Sequence, residues 1–137
     1  MKPESEQQLM HEILEKTKTI AVIGLSDKPY RTSYQIAKAM QNEGYRIIPV
    51  NPNVEQVLGE KAYDAIEDVK EPFELINIFR RSIYLKELAK EIVNTDADYV
   101  WMQQGVIDNE AYNYLIKHNK QVIMDQCIKV AHAVIMK

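Results

Sequence analysis

Residues 19–34, Thr-Ile-Ala-Val-Ile-Gly-Leu-Ser-Asp-Lys-Pro-Tyr-Arg-Thr-Ser-Tyr, hold the densest set of groups able to grip an anion. Four apolar residues, Ile20–Ile23, run into Gly24 and Leu25, and a polar loop follows with Ser26, Lys28, Arg31 and Ser33. A strand that breaks at glycine and feeds a polar loop and a helix start offers backbone N–H groups to a phosphate. The helix N-terminus adds a positive partial charge. Ser26 and Ser33 supply hydroxyl donors, with Ser33 also expected to cap the helix. Lys28 and Arg31 supply charge, and Arg31 suits two-pronged phosphate binding.

The strict dinucleotide pattern G-x-G-x-x-G is absent. Gly24 is present, but Ser26 and Pro29 take the next two glycine places. An NAD site also carries Asp or Glu at the end of its second strand, to hold the ribose 2′-hydroxyl. Here that place is Asn51, followed by Pro52. Further polar clusters follow other apolar runs: Phe79-Arg80-Arg81, Gln103-Gln104-Gly105 and Asp125-Gln126-Cys127. Cys127, the lone cysteine, follows an expected strand and precedes an expected helix. No histidine or acid is spaced to activate Cys127, and no Cys/His set reads as a metal site. No catalytic residue is therefore expected.

The elements that must position these residues alternate. The apolar spacing predicts helices over residues 4–17, 33–43, 83–93, 109–118 and 128–136. Ser5 or Glu4 is expected to cap the first, Ser82 the third and Asp108 the fourth. Strands are expected at 19–25, 45–50, 73–79, 98–102 and 121–124, with 54–72 a connecting region. The second strand contains Pro49, so it should end near Ile48 or lie at an edge. Trp101 is expected in the core. Strands alternating with helices argue for an α/β Rossmann-like fold: three layers, α/β/α, around a mainly parallel sheet of five or six strands. Ligands bind such sheets at the carboxyl ends of the strands, where the polar clusters fall.

The sequence resembles the small CoA-binding protein family, which is similar to the CoA-binding domain of the succinyl-CoA synthetase alpha chain. The resemblance rests on Ile20-Ala21-Val22-Ile23-Gly24-Leu25-Ser26 with Arg31 and Ser33-Tyr34, and on Arg46 to Pro52. It continues through Phe79-Arg80-Arg81, Val100 to Gly105 and Met124 to Lys129, spanning about residues 17–133. It implies that coenzyme A is the cofactor. The Gly24–Ser33 loop would hold the diphosphate and Asn51-Pro52 would border the adenosine. Phe79-Arg80 would line the exit of the pantetheine arm, with Gly105 and Cys127 near the crevice. Cys127 is also a candidate for a mixed disulfide with the CoA thiol. The synthetase's phosphohistidine domain has no counterpart here, so none of His11, His118 and His132 inherits its role. The expected function is a stand-alone CoA-binding module, more a binder than an enzyme. The alternatives are an NAD(P)-binding reductase-like enzyme, the CoA-binding subunit of an acyl-CoA ligase, or an interaction protein with a vestigial nucleotide site.

Bulk properties agree. A chain of 137 residues is expected to form one domain, and 46% apolar with 27% charged residues is ordinary for a globular protein. A net charge of −3 without a basic block argues against nucleic acid and membrane surfaces. No apolar run approaches the ~20 residues of a membrane span, and the polar N-terminus is not a signal peptide. One cysteine suits a reducing cytoplasm. The expected partner is a small molecule, with a homo-oligomer or a partner subunit left open.

Overall fold

The computed structural model describes residues 5–136. Five strands form one parallel sheet: β1 (Thr19–Ile23), β2 (Arg46–Val50), β5 (Leu75–Ile78), β6 (Tyr99–Met102) and β7 (Gln121–Ile123). A separate two-stranded hairpin is built from β3 (Gln56–Val57) and β4 (Glu60–Lys61), turning at Leu58-Gly59. The helices are α1 (Glu6–Lys16), α2 (Thr32–Asn42), α3 (Leu85–Ile92), α4 (Asn109–Lys117) and α5 (Ile128–Ile135). The sheet order is β2-β1-β5-β6-β7. The chain steps outward from β1 to β2, then crosses back over β1 to start β5. The winding direction therefore reverses between β1 and β5, which is the topological switch point. The Rossmann-like α/β fold expected from the alternation is the fold observed, with five strands in the sheet.

Alternation along β1 divides the core between the two sheet faces. Ile20 and Val22 pack with Ile13 and Leu14 of α1, Ile36 and Met40 of α2, and Ile128 of α5. Ala21 and Ile23 pack with Leu85, Ala89 and Ile92 of α3 and Leu115 of α4. Both faces are covered, which is why the strands read as unbroken apolar runs. Trp101 is fully buried, and its indole Nε1 donates to the Gln126 carbonyl at 2.9 Å. That bond ties the turn after β7 to β6.

Side chains also fasten the strand beginnings. Glu74 Oε1 accepts from the amides of Lys18 and Thr19 at 2.8 and 2.9 Å, aligning β5 with β1. Lys120 is buried and donates through Nζ to the carbonyls of Thr95 and Ala97, and burial lowers its pKa. Arg46 pairs with Glu71, which also accepts from the Tyr63 hydroxyl, so the connection after β4 is anchored to β2.

The details depart from expectation at several ends. β1 stops at Ile23 rather than Leu25, because Gly24 turns to a positive φ of 86°. β2 does lie at the edge of the sheet, and this lets it contain Pro49 and run on to Val50. Its outer edge is covered by Tyr63, whose amide donates to the Pro49 carbonyl at 3.0 Å. Ser5 caps α1, accepting from the Gln8 amide at 3.1 Å, whereas Glu4 lies outside the described residues. Asp108 caps α4 through the Ala111 amide at 2.9 Å. Ser82 does not cap α3. It begins a 3₁₀ turn, Ser82–Tyr84, and its hydroxyl is drawn instead to the loop after β6.

Tyr99 offers a direct check on the packing between β6 and α1. Its hydroxyl donates to Glu12 Oε2 at 3.2 Å, and burial followed by the Glu12 charge pushes its pKa up to about 12. Below the ordinary pKa of ~10 both folded and unfolded states keep the proton. Between there and about 12 only the unfolded state ionises, so stability falls as pH rises through this window. We expect Tyr99→Phe to be less stable by roughly 1 kcal/mol at pH 8. Its deficit should narrow between pH 10 and 12 in urea titrations, with Tyr45, raised by burial, and Tyr63, raised by its hydrogen bond to Glu71, contributing to the alkaline slope that remains.

Candidate functional site

The carboxyl ends of β1, β2 and β5 enclose a cavity of about 250 Å³. Gly24 forms its floor, at the switch point. The Gly24 amide donates to the Val50 carbonyl at 2.8 Å, and the Phe79 amide donates to the Ile23 carbonyl at 2.8 Å. A Cβ at residue 24 would lie 2.2 Å from the Phe79 carbonyl oxygen. Only glycine lets the ends of β1 and β5 close to this distance.

The polar loop leaves Gly24 and enters α2. Ser26 and Ser33 close it on itself: the Ser26 amide donates to Ser33 Oγ at 3.0 Å, and the Lys28 amide donates to Ser26 Oγ at 3.1 Å. Ser33 therefore does not cap α2. It sits inside the first turn, buried, and its hydroxyl is used by the loop. The residue at the N-cap is Arg31, which makes no side-chain cap bond. The first amides of α2 thus receive no capping side chain, unlike those of α1 and α4. Lys28 and Arg31 are exposed at this end.

Asn51 is committed on both sides of its amide. Its Nδ2 donates to the Leu25 carbonyl at 3.0 Å, and its Oδ1 accepts from the Asn53 amide at 2.9 Å. It braces the loop after β1 against the end of β2. Pro52 and Arg80 line the cavity, and the Arg80 guanidinium lies over the Tyr84 ring at 4.5 Å. Phe79 meets Gly24 through its carbonyl, while its half-buried ring packs toward the α1, α2 and α5 side.

Gly105 and Cys127 stand further along the sheet. Gly105 has a φ of +84°, and its amide donates to Asp125 Oδ1 at 2.8 Å. Cys127 is half-buried at the start of α5, packed against the α1, α2 and α5 core. The Ile128 amide beside it donates to Gln103 Oε1 at 3.3 Å. Gly24, Asn51, Pro52 and Arg80 are thus brought to one cavity. Leu25, Ser26, Lys28, Arg31 and Ser33 form the neighbouring loop and helix start, and Gly105 and Cys127 lie beyond it.

Several lining residues were not singled out from the sequence. Tyr84, Glu87, Leu88 and Glu91 follow one stripe of α3 and its leading turn, and Asp64, Ala65 and Ile66 come from the irregular connection. The stripe spacing of three, one and three residues was legible, but its mixed chemistry reads as a solvated face. Burial pushes the Glu91 carboxyl above its ordinary range. A hydrogen bond with Glu67 and the charges of Glu67 and Glu87 act in the same direction. Glu87 and Glu91 on this wall and Asp64 on the connection opposite outnumber Arg80, the cation among the lining residues, so the α3 side disfavours anions. A phosphate is therefore favoured at the α2 side of Gly24 and disfavoured at the α3 side.

Among the described residues no group of His, Cys, Asp and Glu has the arrangement of a metal site, and no helix is long and apolar enough to cross a membrane. The family described as CoA binding domain matches residues 18–133. An uncharacterized protein of Bacillus subtilis (strain 168), YneT, is 51% identical over 123 residues, covering 90% of this chain and 91% of its own length. The ADP-forming acetate–CoA ligase of Methanocaldococcus jannaschii is 22% identical over 121 residues, covering 82% of this chain. The match takes up only 17% of that ligase. A hypothetical protein from Pyrococcus horikoshii OT3 superposes with a TM-score of 0.92 at 27% identity, covering 100% of this chain and 98% of its own.

The glycine at the switch point can be tested against a glycine with room around it. Gly24→Ala meets a backbone carbonyl and a positive φ, whereas Gly105→Ala meets only the positive φ, with open space around its Cβ. Gly105→Ala is expected to cost about 1–2 kcal/mol. Gly24→Ala is expected to cost at least about 1 kcal/mol more, as the strand ends are forced apart. Urea midpoints of the two variants measure the difference, and equal losses would contradict the close approach.

Proposed function

The chain belongs to the CoA binding domain family, and from that premise we propose that it binds coenzyme A, free or acylated, as a single stand-alone module. The observation that carries this reading is the α2 N-terminus, which lacks a side-chain cap and follows Gly24 at the switch point. Unfilled helix amides with Arg31 and Lys28 beside them suit a diphosphate. Gly24, Leu25, Ser26, Lys28, Arg31 and Ser33 are the proposed diphosphate segment. Ser26 and Ser33 act chiefly by holding the loop in shape, since each hydroxyl already accepts an amide.

Asn51 and Pro52 are proposed to border the adenosine. With its amide spent on the loop, Asn51 shapes this wall and does not replace the acidic ribose clamp of an NAD site. Phe79, Arg80 and Gly105 are proposed to border the pantetheine arm, with Cys127 beyond them. The cavity volume falls below the ~300–1,000 Å³ of sites that enclose a drug-sized ligand, so much of the CoA would lie over the open strand ends. The carboxylates of Glu87, Glu91 and Asp64 favour an uncharged part of the ligand inside the cavity. No step of a reaction is assigned to any side chain.

A second reading makes the chain the CoA-binding partner of an acyl-CoA ligase formed with another polypeptide. The M. jannaschii ligase favours it, because a segment similar to this chain is one part of a much longer enzyme. Recovery of the chain without a ligase partner, under conditions that preserve weak complexes, would count against it.

Thermal melting with CoA, NAD and NADP separates the main reading from a dinucleotide site. At a hundredfold excess over Kd, CoA should stabilise the protein by about 2.7 kcal/mol, raising Tm by roughly 8 °C. NAD and NADP should leave Tm unchanged. The Ser26→Ala/Arg31→Ala double variant should lose most of the CoA shift. An equal or greater shift with NAD would overturn the proposal.

A further inference from the structure

Three large apolar side chains stand exposed where β5 and β6 end: Ile83, Tyr84 and Ile107, at 69%, 44% and 44% of full exposure. They come from two segments, the turn after β5 and the loop after β6, which one hydroxyl holds together. Ser82 Oγ accepts from the Ile107 amide at 2.9 Å and donates to the Gly105 carbonyl at 3.5 Å. Ile83 and Ile107 therefore flank a single polar clasp. Tyr84 connects this patch to the cavity, because it lines the wall where Arg80 covers its ring. Apolar residues scattered singly over a surface need no explanation. These three lie on two segments that the Ser82 hydroxyl holds together, beside the cavity that Tyr84 lines.

We infer that this shelf receives the hydrocarbon chain of an acyl-CoA, so that the protein prefers apolar thioesters to free CoA. The inference rests on the reading that CoA lies over these strand ends. If the diphosphate occupies the α2 side of Gly24, the thiol end extends away from it along the sheet, past β5 toward β6. An acyl chain differs from free CoA only at that end, and the shelf stands there. An alkyl chain requires surface without hydrogen-bonding demand. Ile83 and Ile107 supply it, and the Ser82 hydroxyl beside them is already used as both acceptor and donor.

Calorimetric titration of the full chain with CoA, acetyl-CoA and octanoyl-CoA, each below its micellar concentration, tests this. Covering a few methylenes on an open shelf should tighten octanoyl-CoA roughly tenfold over CoA, with acetyl-CoA close to CoA. The Ile83→Ser/Ile107→Ser double variant should lose the octanoyl advantage while its CoA affinity stays within about twofold. Should the double variant fail to fold, Ile83→Lys alone should cut the advantage. Octanoyl-CoA binding no tighter than CoA, or an advantage that survives the substitutions, overturns the shelf and leaves CoA binding standing. Absence of binding by all three ligands overturns the CoA reading as well. A concentration-dependent dimer in light scattering that the double variant abolishes would assign the patch to self-association and also overturn the inference.

Discussion

The contact between Gly24 and the Phe79 carbonyl governs how this sheet can be used. β1 and β5 run side by side, and at their carboxyl ends the chain leaves in opposite directions. A side chain at residue 24 would hold the two strand ends apart. Without one, the loop to α2 turns sharply over the end of β1, and Asn51 fastens it from the adjacent edge strand. The cavity, the direction in which α2 points and the place of Arg80 all follow from this one approach.

The site then divides by charge. On the α2 side a helix begins without a capping side chain, next to two exposed cations. On the α3 side Glu87 and Glu91 line the cavity, with Asp64 opposite them, and burial together with the nearby Glu67 and Glu87 raises the Glu91 carboxyl. A ligand with one anionic end and one neutral end has a single favourable orientation across such a mouth. Coenzyme A has this polarity, with its phosphates toward the nucleotide and an uncharged pantetheine arm. The two preferences have independent sources, backbone amides on the α2 side and side-chain carboxylates on the other.

Much of this was legible in the sequence, and for identifiable reasons. The apolar runs of β1, β5 and β6 are buried on both faces, so they carry an unmistakable signal with no polar interruption. Pro49, which cannot donate to a second neighbour, required β2 either to end near Ile48 or to lie at an edge, and the second is what the fold adopts. Gly24 stood out by its place between strand and polar loop. What sequence could not reveal depended on partners distant in the chain. Ser33 and Ser82 looked like caps, yet each hydroxyl is claimed by an amide from another segment, Ser26 in one case and Ile107 in the other. Asn51 looked like a ligand group, and its amide proves to be a brace. The α3 stripe of Tyr84, Glu87 and Glu91 has the spacing of an ordinary solvated face. Only the fold of the 64–66 segment opposite turns it into a wall.

The central claim is that CoA lies across the switch point with its phosphates on the α2 side. Backbone amide resonances followed during a CoA titration test it most directly. Shifts are expected at Gly24, Ser26, Thr32, Ser33 and Arg80, with the β3–β4 hairpin turn and the exposed face of α4 undisturbed. Shifts confined to those distant segments, or an identical pattern with NAD, would contradict it.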